Sequence, residues 1–340
     1  MVIDMKRIGK NVIECEKDVA AVSFAAVGGK KEAEGALGTY FDTTFTDSYF
    51  GKESWEKAES LMQSEALNLA LTKGNIKDRE VDMLFAGDLL NQCISSSFAA
   101  RSLNTAYLGQ YGACSTMAQT IIMAAISVES GAADTAAAVT SSHFCTAERQ
   151  FRLPLEYGGQ RSPSAQWTAT ASGAVIIKRD KKSPVKIKRM CPGKIIDLGV
   201  KDMANMGAAM APAAAETLTD FFNDTKTSPK DYDRIFTGDL GSIGSSLLYE
   251  LMAKNNFDLA PYHSDCGVML YDIKLQDVHA GGSGCGCSAS VLCGYILNEM
   301  KKGSLKKALF CATGALMSTV SSQQGESIPG ICHLVEFERN

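Results

Sequence analysis

The cysteine at position 114 is the residue whose setting points most directly to chemistry. It lies in Gly112-Ala113-Cys114-Ser115-Thr116, between a glycine turn and the start of an apolar run. If that run is a helix, the unpaired N–H groups and positive dipole end at its start favour a thiolate, and would equally receive a carboxylate. The plain alternative is a buried structural cysteine. His279 opens a second stretch, His279-Ala280-Gly281-Gly282-Ser283-Gly284-Cys285-Gly286. A glycine-rich loop of this kind can carry an imidazole to a site held by another element, although from the residues alone a surface-loop histidine is the better reading. Ser141-Ser142-His143 follows an apolar strand pattern, and strand ends border ligand crevices in open α/β sheets; a helix cap is the competing reading.

Two further stretches are less specific. Glu156-Tyr157-Gly158-Gly159-Gln160-Arg161-Ser162-Pro163, continuing to Gln166-Trp167-Thr168, has the composition of a long loop. Its arginine fork suits carboxylates and its aromatics suit a flat ring, with Arg149 and Arg152 adding positive potential nearby. Lys178, Arg179, Lys181, Lys182, Lys186, Lys188 and Arg189 form a basic stretch, read first as a solvated edge and second as a contact for an anionic membrane surface. No dinucleotide fingerprint, P-loop or zinc spacing occurs; Gly281 to Gly286 fits neither nucleotide pattern.

The elements that must position these residues come as a pair. Asp82-Met83-Leu84-Phe85-Ala86-Gly87-Asp88-Leu89 matches Asp233-Arg234-Ile235-Phe236-Thr237-Gly238-Asp239-Leu240 at the aspartate, the phenylalanine and the Gly-Asp-Leu triplet. Each copy reads as a short buried strand ending in a turn. A helix precedes each: 54–73, with Trp55, Ala58, Met62, Ala66 and Leu69 on one face and Gly74 as its stop, and 212–222, with Pro212 at its start. A cysteine-headed helix and a strand follow each: from Cys114 to Gly131, then 135–140, and from Cys287 to Met300, then Gly303 and 307–313. Segments 174–178 and 185–189, around a Lys-Lys-Ser-Pro turn, predict a hairpin joining the halves. Three matching features in one order indicate an internal duplication, with halves at 1–180 and 181–340. Two such halves predict an α/β protein in α/β/α/β/α layers.

Bulk composition agrees with a folded chain. Of 340 residues 45% are hydrophobic and 21% charged, and the net charge of −4 leaves no whole-chain footprint for nucleic acid. The N-terminal residues lack a signal-peptide pattern and no apolar run reaches the length of a membrane span, so a soluble protein of the cytoplasm is expected. The eleven cysteines contain no CxxC pair and are expected to be reduced thiols.

Duplicated halves, a cysteine heading a buried helix and a late histidine in a Gly-rich loop resemble the thiolase and ketoacyl synthase superfamily. Cys114 stands where its nucleophile would stand, His279-Ala-Gly-Gly-Ser-Gly resembles its His-x-x-Gly loop, and Cys311-Ala312-Thr313-Gly314 its late cysteine turn without the second glycine. The sequence departs from it at Thr237-Gly238-Asp239-Leu240-Gly241, where an aspartate occupies the place of the histidine that assists condensation; that change disfavours stabilising a developing oxyanion. A closer resemblance covers almost the whole chain. Gly112-Ala-Cys-Ser-Thr-Met, Ser141-Ser-His-Phe, Arg149-Gln-Phe-Arg, Glu156-Tyr-Gly-Gly-Gln, Ala165-Gln-Trp-Thr and Ala312-Thr-Gly-Ala-Leu are similar to the stage V sporulation protein AD family.

That resemblance implies a thiolase-like duplicated fold without an established enzymatic activity. It implies a protein that binds dipicolinic acid (pyridine-2,6-dicarboxylate) and supports its uptake into the developing spore. The implied partners are membrane-embedded sporulation transport proteins, and the implied location is the cytoplasm, peripherally at the forespore or spore inner membrane; related folds imply a homodimer. The residues expected to receive the ligand are Cys114, Ser115, Asp134, Ser141, Ser142, His143, Arg161 and His279. No cofactor is expected, though calcium arriving with the ligand stays open, with Asp88 or Asp239 as weak oxygen ligands. The competing class is an acyl-transfer enzyme with Cys114 as nucleophile and His279 as base.

Overall fold

A computed structural model of the protein describes residues 5–151 and 161–340. Its N-terminal half contributes strands β1 (Val19–Gly28), β2 (Met83–Gly87), β3 (Ala106–Gly109), β4 (Thr135–Ser142) and β5 (Ala171–Arg179). The C-terminal half contributes β6 (Val185–Cys191), β7 (Arg234–Thr237), β8 (His263–Asp265), β9 (Lys307–Ala315) and β10 (Gly330–Arg339). Outward from the middle the strands run β1-β5-β4-β2-β3 in one half and β6-β10-β9-β7-β8 in the other. The first two pairings are antiparallel and the last two parallel in both. The duplication is therefore present in the pairing pattern itself. The octapeptide match shares its chemistry too: Asp82 accepts from the backbone of Asp134 and Thr135, and Asp233 from that of Lys306 and Lys307, each aspartate tying the start of the next parallel strand.

The helices that matter here are α1 (Trp55–Lys73), α2 (Ile94–Ala100), α3 (Thr116–Ser130), α4 (Phe144–Phe151), α5 (Met206–Thr225), α6 (Gly241–Lys254) and α7 (Cys285–Val291), the last continuing through a π turn to Lys302. They sort by burial. α1 has one apolar face, capped by Ser54, and packs on the outer side of the first half. α5 and α6 cover the outer side of the second. α3 and α7 are buried almost all round, and their apolar residues share one core with side chains from both halves. Among the described residues the three large cores, separated by two sheet halves, are the layers expected, with a small fourth cluster around Cys114. Layering also explains β4, Thr-Ala-Ala-Ala-Val-Thr-Ser-Ser, which is buried along its whole length: a strand covered on both faces has no reason to alternate.

Several boundaries differ from expectation. α5 begins at Met206, capped by the Asn205 side chain, so Pro212 lies inside the helix rather than at its start; the run of alanines and Met210 packed into the outer core outweighs one missing N–H. α7 begins at Cys285, two residues before Cys287, because Gly284, at φ +102, ends the preceding strand-like turn there. β5 and β6 do not form a hairpin. β1 lies between them, and the halves join where Lys186 pairs with Ala20. Lys186, Lys188 and Arg189 are consequently inside the sheet with their charges matched within the protein, while Lys181 and Lys182 are exposed on the turn. Lys188 and Arg189 lie 3.5 and 3.6 Å from Glu14, Arg189 lies 3.4 Å from Glu336, and Arg179 donates to the carbonyls that end α3. Among the described residues no helix is long and apolar enough to cross a membrane.

Candidate functional site: a cysteine cleft between the halves

Cys114 sits on the turn that leads into α3. Ala113 holds a left-handed conformation at φ +50, which turns the chain sharply enough to aim the cysteine away from the helix axis. Gly314, in β9 of the other half, lies against this turn; a side chain there would collide with the Gly112 carbonyl and the Ser115 amide. The thiol lines a cleft that opens to solvent. Leu89, Tyr111, Ala147, Phe151, Met206 and Met317 make its walls apolar and aromatic. Ser283 and Thr168 bring hydroxyls to it.

The residue facing the thiol is Asp239. It follows β7 and is fully buried. Its Oδ1 accepts from Thr313 Oγ1 at 2.9 Å, and its Oδ2 from Ser283 Oγ at 3.1 Å and the Gly284 amide at 2.9 Å. Cys114 Sγ lies 3.9 Å from Ser283 Oγ and also engages the Asp239 carboxylate. Burial pushes the Cys114 thiol well above its ordinary value, and the negative charge of Asp239 pushes it further the same way. The expected thiolate is thus not favoured. Two features of the turn explain why the helix start does not rescue it. The helix proper begins two residues later, at Thr116, and the amides of Ser115 and Thr116 are already donating to the Gly112 and Ala113 carbonyls. Asp239 is itself pushed up to about 6 by burial, with Asp265 adding to the shift against the hydrogen bonds that lower it.

The remaining expected site residues separate into those beside the cleft and those turned elsewhere. Ser115 is buried and donates back to Gly112 at 2.7 Å. Ser141 donates to Glu59 at 3.1 Å and accepts from Gln63. Ser142 donates to the Ala169 carbonyl and accepts from the Gly286 amide, pinning α7 to the end of β4. His143 Nδ1 accepts from the Cys145 amide while Nε2 meets the Ser48 carbonyl at 2.8 Å. Burial lowers it to about 4, so it is a neutral structural imidazole. The strand end is therefore a joint between elements rather than a receiver. Asp134 is exposed at the opposite end of β4, roughly 26 Å along the chain from Ser142. His279 Nε2 lies 2.7 Å from Asp277, and the place of a base beside Cys114 is taken by Asp239. Arg161 stacks over the ring of Trp167 at 4.9 Å, with Phe144 nearly parallel at 3.8 Å and Lys31 Nζ 3.8 Å from the ring centroid. Trp167 and Thr168 pair with Gly282 and Ser283, so this arginine stands one residue from the cleft wall. The expected loop residues 156–160, with Arg152, lie outside the described residues.

Reading the sequence missed Ser283, Thr313 and Gln166. Gln166 Nε2 donates to the carbonyls of Asp239 at 2.7 Å and Gly282 at 2.8 Å, bracing the two strands of chain that present the carboxylate and the hydroxyl. All three sit inside stretches that the sequence had marked, but serine, threonine and glutamine carry no signal of their own. The two repeated aspartates, marked as oxygen ligands for calcium, have different duties. Asp88 is filled by the Leu90 and Ser96 amides and the Ser96 hydroxyl, Asp239 by the donors above. Among the described residues no group of three or more His, Cys, Asp or Glu could hold a metal ion.

Comparison with known proteins agrees with this architecture. The chain is similar to a cerulenin-bound OleA of Xanthomonas campestris, 13% identical, covering 96% of this chain and 97% of that one with a TM-score of 0.59. It is also similar to 3-oxoacyl-[acyl-carrier-protein] synthase III of Aquifex aeolicus VF5, 12% identical, covering 93% and 99% with a TM-score of 0.55. At such identities the likeness establishes the thiolase-like fold. Stage V sporulation protein AD of Bacillus subtilis (strain 168) is 42% identical over 335 residues, 98% of each chain. The sequence profile of that family matches residues 9–338. Fold, duplication and sequence agree, and the chain belongs to the stage V sporulation protein AD family.

Proposed function

We propose that the protein binds dipicolinic acid reversibly at the Cys114 cleft, without transforming it, and in that way supports its uptake into the developing spore. Membership of a sporulation family supplies the context. The observation that carries the reading is Asp239 beside Cys114: a cysteine made to attack an acyl group needs a base or a positive neighbour, and this one has a buried carboxylate that holds its proton in place. What remains is a slot with apolar and aromatic walls, two hydroxyls and the Glu148 carboxyl group, whose shape suits a flat ring. Calcium, where it accompanies the ligand, is expected to ride on the ligand's own carboxylates, since Asp88 and Asp239 are already filled.

The wider setting follows from the family resemblance. Membrane-embedded transport proteins are the expected partners, with peripheral rather than integral attachment to the membrane. A pairing of two copies has an open edge available in β3, where Ala106 and Leu108 face solvent. The binding reading is tested by incubating the protein separately with dipicolinate and with acyl-CoA. Dipicolinate is expected to raise the melting temperature and leave the intact mass unchanged, while acyl-CoA leaves no adduct. An acyl group on Cys114 would transfer the chain to the acyl-transfer class.

A further inference from the structure

We infer that the Cys114 cleft takes its anionic aromatic ligand together with one proton, and that the Asp239 carboxyl group is where this proton is held. The inference rests on the binding reading above and adds how the site handles charge. Asp239 reaches the cleft through the two groups that line it, the Cys114 thiol and the Ser283 hydroxyl. A ligand carboxylate seated against these groups stands a few ångströms from a second, buried carboxylate. Two like charges so placed do not both stay ionised.

Arg161 stands over Trp167 near the cleft wall, but it is not among the groups that set the shift of Asp239. Among the described residues the titratable groups that bear on Asp239 are Cys114 on the turn before α3, Asp265 and Cys266 beyond β8, Cys285 and Cys287 in α7, and Cys332 in β10. All are acids. Glu148, on α4, adds a further carboxyl group to the lining.

The geometry also shows where the proton would go. Oδ1 is occupied by Thr313 and Oδ2 by Ser283 and Gly284, which leaves the direction of the Cys114 thiol. A neutral Asp239 can turn its O–H that way and donate to the ligand carboxylate in place of the thiol. Empty, the group is ionised through most of the neutral range, as its position near 6 requires. Occupied, it is protonated.

Calorimetric titration of the full chain with dipicolinate, in metal-free phosphate and Tris buffers at pH 7.5, measures the proton directly. The dependence of the observed heat on the buffer's own protonation heat is expected to give close to one proton taken up per ligand bound. The dissociation constant is expected to rise about tenfold per pH unit between pH 7 and 9, the slope of a single linked proton. The uncharged analogue pyridine-2,6-dicarboxamide should bind with neither effect. Asp239→Asn should bind dipicolinate with the uptake lost and the pH slope flattened; if that variant does not fold, the two ligands still decide. Dipicolinate binding without proton uptake, an equal slope for the dicarboxamide, or persistent uptake in folded Asp239→Asn would each overturn the inference and leave the binding reading intact. No binding of dipicolinate at all would remove both.

Discussion

Cys114 and Asp239 come from opposite halves of the duplication and meet only because the turn before α3 and the end of β7 face one cleft. The cysteine was legible in the sequence from its small neighbours. Its electrostatic state was not, since that is set by a residue 125 positions further along the chain, the separation of 239 from 114. His143 teaches the same lesson in reverse. It sits at a strand end, where ligands often bind, yet its two nitrogens are consumed by Ser48 and Cys145. Burial holds His143, His263 and His333 at about 4. Each is neutral when folded and titrates near 6.5 when unfolded, so the unfolded chain binds more protons between those values. Stability is therefore complete above about 6.5 and is lost as the pH falls toward 4. Imidazole NMR resonances should show three rings neutral at pH 6 and a melting temperature that drops steadily below it. Three rings titrating near 6.5 in the folded protein would contradict this.

The pairing of α1 with β4 and α4 rests on a group that no periodicity reveals. Glu59 is fully buried on α1, accepting from Ser141 Oγ on β4 at 3.1 Å and Thr146 Oγ1 on α4 at 2.8 Å. Burial raises its proton affinity, and the neighbouring Asp88 raises it further. A carboxyl group raised in the folded state contributes stability that is complete below its unfolded value and is lost as the pH climbs through its folded one. The wild type is accordingly expected to lose the Glu59 contribution progressively between about pH 5 and pH 8, where the folded state alone keeps the proton. Glu59→Gln, which keeps shape and hydrogen-bonding capacity without the charge, should flatten that loss and match or exceed the wild type at pH 9. A steeper loss in the glutamine variant would show that Glu59 is held ionised. The apolar face of α1 was plain from its sequence, whereas a glutamate inside that face reads from sequence as surface.

For the molecule as a whole, the repeated Asp-x-x-Phe-x-Gly-Asp-Leu octapeptide was enough to indicate two halves, because each copy ends a buried parallel strand and carries the same strand-tying aspartate. The way the halves join was hidden. The lysine-rich stretch looked like a hairpin edge because its partners, Glu14 and Glu336, come from the two ends of the chain. It is this joining that builds the cleft, and the central claim is that the cleft binds and does not react. A calorimetric titration of dipicolinate into the wild type, Cys114→Ala and Cys114→Leu tests it most directly. Cys114→Ala removes one weak hydrogen-bonding group and should weaken binding about two- to tenfold. Cys114→Leu fills the cleft beside the thiol and should weaken it about tenfold to a hundredfold, as expected for overpacking at a tight site. Because Cys114 is buried, the melting temperature is expected to fall slightly for Cys114→Ala and further for the overpacked Cys114→Leu, with both variants folded. Wild-type affinity retained by both variants, with both folded, would contradict the account and place the ligand elsewhere.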